Sequence, residues 1–285
     1  MRERSVIPEL PEVETIRLEL EPWLYGKTIL GVQLVDALPG PKYANLQRAA
    51  LQRITDVTRR GKFLLLPLSG GDELIIHLGM TGVVTPRRPD QHLRVQLVLD
   101  DEGPNSILYF CDPRRFGRFL VVPRGDYSDL PTLQNMGPEP LEGTFTKAKF
   151  TQALARSGTA VKAYLLTQKP VAGLGNIYAD EALWRAQIHP QTPARHVPVS
   201  KIAALQSAIK EVLIASLEAQ GTTLNDYRTV NGNVGTYLEE LNVYGHSNEP
   251  CPRCGVQINK ITLGGRGTHF CPSVRKRKPK KTHNH

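Results

Sequence analysis

Apolar residues recur every three or four positions near the start of this chain, where Val13, Ile16, Leu20 and Leu24 form one stripe and predict a short amphipathic helix. The pattern then shortens to alternating or wholly apolar runs broken by Gly, Pro or Asp. Residues 29–35, 63–68, 74–78, 95–99, 107–110 and 118–122 read as strands of a β-sandwich, interrupted by a helix over 43–52. Between 126 and 144 the pattern dissolves into PTLQNMGPEPLEG and its polar neighbours, the composition of an interdomain linker. Helical periodicity returns over 150–156, 160–166, 178–186 and most clearly 200–220, where Ile202, Leu205, Ile209, Val212, Leu213 and Leu217 share a face. Strand-like pieces around a group of cysteines close the chain as a small hairpin. The fold class is therefore α+β. An N-terminal β-sandwich with its helix is expected at 8–130, a hinge at 131–145, a helical domain at 146–245, a hairpin at 246–274 and a basic tail at 275–285.

Length and charge sharpen this reading. A chain of 285 residues suffices for two ordinary domains. Its net charge of +9 favours a polyanionic partner such as nucleic acid, although RKRKPKK at 275–281 supplies six of the cations and reads as a solvated, disordered tail. No apolar run approaches the roughly 18 residues needed to span a bilayer, and MRERSVI lacks the apolar centre of a secretory signal. A cytoplasmic protein with no membrane partner is expected. Of four cysteines, Cys251, Cys254 and Cys271 crowd together as candidate metal ligands in a reducing compartment, whereas Cys111 stands apart as a packed free thiol.

Several short stretches carry candidate chemistry. Pro8 and Glu9 precede the first helix. A proline nitrogen at a free chain terminus is a secondary amine that can attack an electrophilic carbon while the adjacent carboxylate handles protons, and elsewhere it is an inert amide. RRGKFLLL sets Arg59, Arg60 and Lys62 before an apolar strand, and IHLGMTG brackets Met80 with Gly79 and Gly82. CDPRRFGR joins a turn to Arg114 and Phe116, a cation and an aromatic suited to entering a base stack. GLGN puts Asn176 at the start of a helix after a glycine turn, a geometry that holds a phosphate oxygen. Each has a plainer alternative: a helix entry, a charged turn, a core methionine or a capped surface turn. CPRC, sixteen residues and CPSV resemble the paired knuckles of a four-thiolate zinc site, with Val274 where the fourth cysteine belongs and Arg266 near the hairpin tip.

Taken together, PELPEVETI, RRGKFLLL, IHLGMTG, DPRRFG, GLGNIYADE, QGTTLNDY, NVYG and the CPRC-to-CPSV hairpin resemble the bacterial formamidopyrimidine-DNA glycosylases (Fpg) in order and rough spacing, from Pro8 to about residue 274. The resemblance implies a β-sandwich, a hinge, and a helical domain with a helix-two-turn-helix motif and a zinc-finger-like hairpin. It also implies excision of oxidised purines, 8-oxoguanine and formamidopyrimidines, from double-stranded DNA by a monomer in base excision repair, followed by β,δ-elimination. By the same resemblance Pro8 is the nucleophile, Glu9 the proton donor, and Lys62 and Arg266 assist at phosphate. Met80, Arg114 and Phe116 fill the gap left by the flipped nucleotide, and Asn176, Lys162 and His92 contact the DNA backbone. The loop QGTTLNDYRTVNGN closes over the everted base. Zinc is structural, and no cofactor enters the chemistry.

Two departures carry their own expectations. Seven residues precede Pro8, with Ile7 where the family has its initiator methionine, so the catalytic form is expected to begin at Pro8. Without a fourth cysteine, His269, His283 or His285 is expected to complete the zinc site, or the hairpin to hold without metal. The rival reading is a lesion-binding protein of the same fold without catalysis. A zinc-ribbon regulator would leave Pro8 to Ile16 and DPRRFG unexplained.

Overall fold

The computed structural model describes residues 8–103, 105–222, 229–233 and 235–274. The opening segment, the interior of the 220–233 loop, and the basic tail with His283 and His285 lie outside the described residues. Helix α1 (Leu10–Leu24) starts where the pattern puts it, because Pro11 suits the first turn and Glu9 and Glu12 form a reciprocal capping box. Its stripe of Val13, Ile16, Leu20 and Leu24 is buried. Burying four such side chains contributes about 6–12 kcal/mol, against about 1 kcal/mol for a cap, so packing rather than capping holds α1 in place.

Eight strands follow: β1 (Ile29–Leu34), β2 (Thr58–Arg60), β3 (Phe63–Pro67), β4 (Asp72–His77), β5 (Val83–Thr85), β6 (Leu93–Leu99), β7 (Ile107–Cys111) and β8 (Arg118–Pro123). They form two antiparallel sheets, ordered β1-β6-β7-β5 and β2-β3-β4-β8. Val32, Val95, Leu97 and Phe110 of the first sheet and Leu64, Leu66, Leu74, Ile76 and Phe119 of the second share one core with the α1 stripe. Every position of β3 is buried, which is why FLLLP reads as a continuous apolar run instead of an alternation. The helix expected over 43–52 is only a 3₁₀ turn, Leu46–Ala49. Asn45 and Leu51 on either side take φ values of 57° and 62°, which an α-helix cannot contain. Strands β2 and β5, three residues each, are too short to leave a periodic signature.

After α2 (Pro131–Gln134) come α3 (Lys147–Ala155), α4 (Val161–Leu166), α5 (Asn176–Arg185) and α6 (Val199–Glu218). Thr146 caps α3 by accepting from Lys149 N, and α6 buries Ile202, Leu205, Ile209, Val212 and Leu213 as its pattern requires. The hairpin β9 (Asn259–Leu263) and β10 (Arg266–Phe270) turns through Gly264 and Gly265 at φ 56° and 74°, values that favour glycine at both positions of a two-residue turn.

The described chain divides into two compact units, 8–134 with 216–238 and 135–215 with 239–274. The segment after α6 therefore returns to the sandwich instead of staying with the helices. Glu12 and Glu19 of α1 accept from Thr222 N (2.7 Å) and Asn231 N (3.0 Å), and Val230 enters the sandwich core. Among the described residues no helix is long and apolar enough to cross a membrane.

Candidate functional site

In the sandwich unit Pro8 and Glu9 are both buried at the entry to α1. Their support is Glu12, a residue the sequence reading passed over as one more helical acid. Its fully buried carboxylate accepts from Glu9 N through Oε2 (2.9 Å) and from Thr222 N through Oε1 (2.7 Å). One side chain thus ties the candidate nucleophile segment to the root of the 220–233 loop. The root is tight: Thr222 pairs with Thr236, and a Cβ on Gly235 would lie 2.1 Å from Gly221 O. Replacing Glu12 with alanine leaves two buried N–H groups without their acceptor and is expected to lower unfolding free energy in urea by about 2–4 kcal/mol, with Glu12→Gln losing less. Equal stability of Glu12→Ala and wild type would remove it from this role.

Lys62 sits half-buried in the β2–β3 turn, after Gly61 at φ 56°. The hairpin is fastened to α1 by Arg59, whose Nε donates to Glu14 Oε2 at 2.7 Å, so this arginine is committed to an ion pair with the helix. His77 lies opposite Phe63 with ring centroids 4.5 Å apart. Burial, followed by the charges of Lys62 and Arg118, pushes its pKa down to about 3. The imidazole is therefore neutral near pH 7, and its Nδ1 accepts from Gly79 N at 3.2 Å.

The loops that carry Met80, Arg114 and Phe116 come together through Asp112, which is fully buried. Asp112 Oδ1 accepts from Thr81 Oγ1 (2.9 Å), Oδ2 accepts from Gly117 N (2.7 Å), and Thr81 Oγ1 in turn accepts from Arg114 N (3.3 Å). A Cβ on Gly79 would meet Gly117 N at 2.6 Å, so the two loops touch backbone to backbone and glycine is required there. On this base Phe116 stands exposed with the Arg114 guanidinium 5.1 Å from its ring centroid, while Met80 is half-buried between Gly79 and Thr81, the two residues that meet the Arg114–Gly117 loop. His92, exposed and at φ 63°, accepts from Asp112 N through its carbonyl (3.0 Å) and so belongs to the same framework.

The second unit holds Asn176, Lys162 and Arg266. Asn176 opens α5 after a glycine turn braced by Gln168, which accepts from Gly173 N (2.8 Å) and donates to Leu174 O (2.6 Å). The Asn176 Oδ1 is buried without a hydrogen-bond partner, an arrangement that fits a site completed by a ligand. Arg266 is exposed at the hairpin turn. Lys162 differs from the expected backbone contact: it is fully buried, paired with Asp180 Oδ1 at 2.7 Å, and donates to Gly267 O (3.1 Å) and Thr268 Oγ1 (2.9 Å). With Asp180 Oδ2 accepting from His269 N (2.8 Å), this pair fastens α4 and α5 to β10, the strand that carries Arg266. In the DNA-free chain the Lys162 side chain holds the hairpin. Glu181 acts similarly, its buried carboxylate accepting from the backbone N–H of Asn242, Val243 and Tyr244.

Cys251, Cys254 and Cys271 bring their sulfurs within 4.8 Å of one another. Tetrahedral zinc with Zn–S of about 2.3 Å requires S···S edges of about 3.8 Å, so the observed Cys254–Cys271 separation of 3.4 Å is close to the bound geometry and the three residues fit the metal. Trp184 Nε1 donates to Cys251 Sγ (3.4 Å), as outer donors to metal thiolates do. Hydrogen bonding from Ser273 first, then from the Val256 backbone and Cys271, holds the Cys254 thiol down at about 7, whereas burial raises that of Cys271. His269 does not join the cluster. Its Nδ1 lies 3.6 Å from Asp180 Oδ2 and its ring packs edge-on to Tyr244.

The chain combines a β-sandwich carrying a capped N-terminal helix with, later in sequence, a helical unit that ends in a cysteine hairpin. Family models described as the formamidopyrimidine-DNA glycosylase N-terminal domain, its H2TH domain and a zinc finger found in Fpg and IleRS match residues 7–119, 136–228 and 248–273. The formamidopyrimidine-DNA glycosylase of Deinococcus radiodurans is 46% identical over 93% of this chain and 96% of its own, and that of Thermus thermophilus is 46% identical over 94% and 98%. The crystal structure of the MutM (Fpg) protein from Thermus thermophilus superposes with a TM-score of 0.87 at 45% identity, covering 95% of this chain and all of that one. A MutM complex with DNA containing carbocyclic 8-oxo-G reaches 0.83 at 35% identity over 95% of this chain and all of that one. The chain belongs to the formamidopyrimidine-DNA glycosylase family.

Proposed function

We propose that this protein is a DNA glycosylase of base excision repair that removes oxidised purines from duplex DNA and then nicks the strand as an AP lyase. The observation that carries the reading is the buried Pro8–Glu9 segment, pinned by Glu12 to the loop root in a chain of this family. A base stacked in a duplex is out of reach, so the nucleotide must first be everted at a cost of a few kcal/mol. Phe116, Arg114 and Met80, carried on the loops that Asp112 braces, offset this cost by filling the vacated stack. A Pro8 nitrogen freed as a chain terminus bonds to the anomeric carbon as the glycosidic bond breaks, and the base leaves with a proton. Glu9 carries that proton. The sugar ring then opens at C1′–O4′ with O4′ taking a proton, and the resulting iminium draws electrons from the sugar, so the C2′–H and then the C4′–H protons become acidic and the 3′ and then the 5′ phosphate leave. Lys62, in the turn locked to α1, assists at phosphate, and Asn176, His92 and Arg266 grip the backbone.

In this reading the cysteine hairpin is a zinc finger. Cys251, Cys254 and Cys271 hold the ion, which supplies structural cross-linking rather than chemistry. The hinge lies within 131–145, the protein acts as a monomer, and it works at the bacterial nucleoid in the cytoplasm. A chain whose Pro8 nitrogen remains acylated binds lesions without covalent catalysis.

The test is a duplex bearing one oxidised guanine, resolved on denaturing gels after incubation with protein. Base release and a gap flanked by phosphates are expected, and an intact strand would overturn the assignment. Arg114→Ala is expected to level the cleavage rates of the lesion opposite the four bases, because the donor to the orphaned base is gone and each good bidentate contact discriminates by about 1–3 kcal/mol. Unaltered ratios would exclude Arg114 from reading that base.

A further inference from the structure

Three thiolates leave one corner of a tetrahedral zinc site to another donor. The turn that should supply it is built normally in its backbone: Val274 N donates to Cys271 O at 3.3 Å, as Cys254 N donates to Cys251 O at 3.2 Å in the first knuckle. Only the side chain at position 274 has no metal-binding atom. One residue earlier, Ser273 Oγ lies 2.8 Å from Cys271 Sγ and 3.5 Å from Cys254 Sγ. Among the described residues no histidine or carboxylate joins the cluster.

We propose that the Ser273 hydroxyl oxygen is the fourth zinc donor, giving a site of three cysteines and one serine. With Zn–S of about 2.3 Å and Zn–O of about 2.1 Å, a tetrahedron needs S···O edges of about 3.6 Å. The contact to Cys254 already has that length, and the one to Cys271 needs to open by roughly 0.8 Å on the same scale. Zinc binding releases the three thiol protons, while the serine stays neutral and donates an oxygen lone pair. The bound site then carries a net charge of −1, where four thiolates would give −2. A neutral oxygen corner holds the metal less tightly than a thiolate.

The inference rests on the hairpin holding zinc, which cobalt uptake by the unaltered full-length protein tests separately. One equivalent of Co(II), with thiolate-to-cobalt absorption, is expected, and no uptake would overturn both the zinc reading and the serine assignment. Ser273→Ala is expected to weaken zinc about 10-fold or more in competition with a chromophoric chelator and to shift the visible cobalt bands, with Ser273→Thr recovering both. Ser273→Cys is expected to raise the thiolate-to-cobalt absorption by about a third, from three sulfurs to four. In a Val274→Cys background, where a thiolate takes the corner, Ser273→Ala should cost nothing further. Full affinity and an unshifted cobalt spectrum in Ser273→Ala would overturn the proposal and assign the corner to solvent.

Discussion

A chain that begins at Pro8, offered a duplex with one oxidised guanine in the presence of borohydride, is expected to yield a covalently trapped protein–DNA adduct, and the chain carrying residues 1–7 is expected to yield none. The contrast is all-or-none because an amide nitrogen delocalises its lone pair into the carbonyl, whereas a terminal proline nitrogen keeps it available for attack. The fold has prepared the position. Glu9 is buried next to it, and Glu12 Oε2 accepts from Glu9 N at 2.9 Å, so the backbone that bears the proposed amine and carboxylate is fixed before substrate arrives. Pro8→Gly in the shorter chain should trap in part, since glycine still presents a primary amine. Mass spectrometry confirms the terminus of each preparation before the assay. Equal trapping by the verified longer chain would move the nucleophile elsewhere, with Lys62 the first candidate.

The second large effect belongs to Lys162. Lys162→Met strips the buried Asp180 carboxylate of its cation and is expected to destabilise the protein by about 3–5 kcal/mol, read from urea unfolding. Adding Asp180→Leu should recover only part of that loss, because an apolar pair replaces the buried ion pair while His269 N loses its acceptor. DNA binding separates Lys162 from Arg266. Arg266→Ala should lower the slope of log affinity against log salt by about one, whereas the double replacement, which leaves no lone buried charge, should leave the slope unchanged. A slope lowered by one in the double variant would show that Lys162 reaches a phosphate after all, and an unchanged stability in Lys162→Met would mean the pair does not hold the hairpin.

Much of this molecule is legible in its pattern. The α1 stripe, the six longer strands and the one-sided α6 follow from apolar spacing, since each element is held by the burial of the residues that define its period. The Gly264–Gly265 turn and the crowded cysteines are likewise local, set by the conformational freedom of glycine and by short ligand spacing. Motifs with a fixed order along the chain were sufficient to place it in its family.

What the pattern could not supply is which polar side chain meets which, because charge and hydrogen bonding carry no period. Glu12 reads as one acid among several on a helix, yet folding sets it against Thr222, some 210 residues away. Asp112 reads as half of a turn dipeptide and becomes the brace under two loops. Lys162, a backbone contact by resemblance, is buried against Asp180, a partner that only the packing of α4, α5 and β10 provides. Ser273 reads as a spacer between Cys271 and a missing cysteine, and only the turn shows its oxygen beside two sulfurs. Sequence alone determined the longer elements, the family and the candidate chemistry. Tertiary structure decided the support of each site, because that support consists of long-range contacts between groups whose individual positions along the chain are unremarked by any repeat.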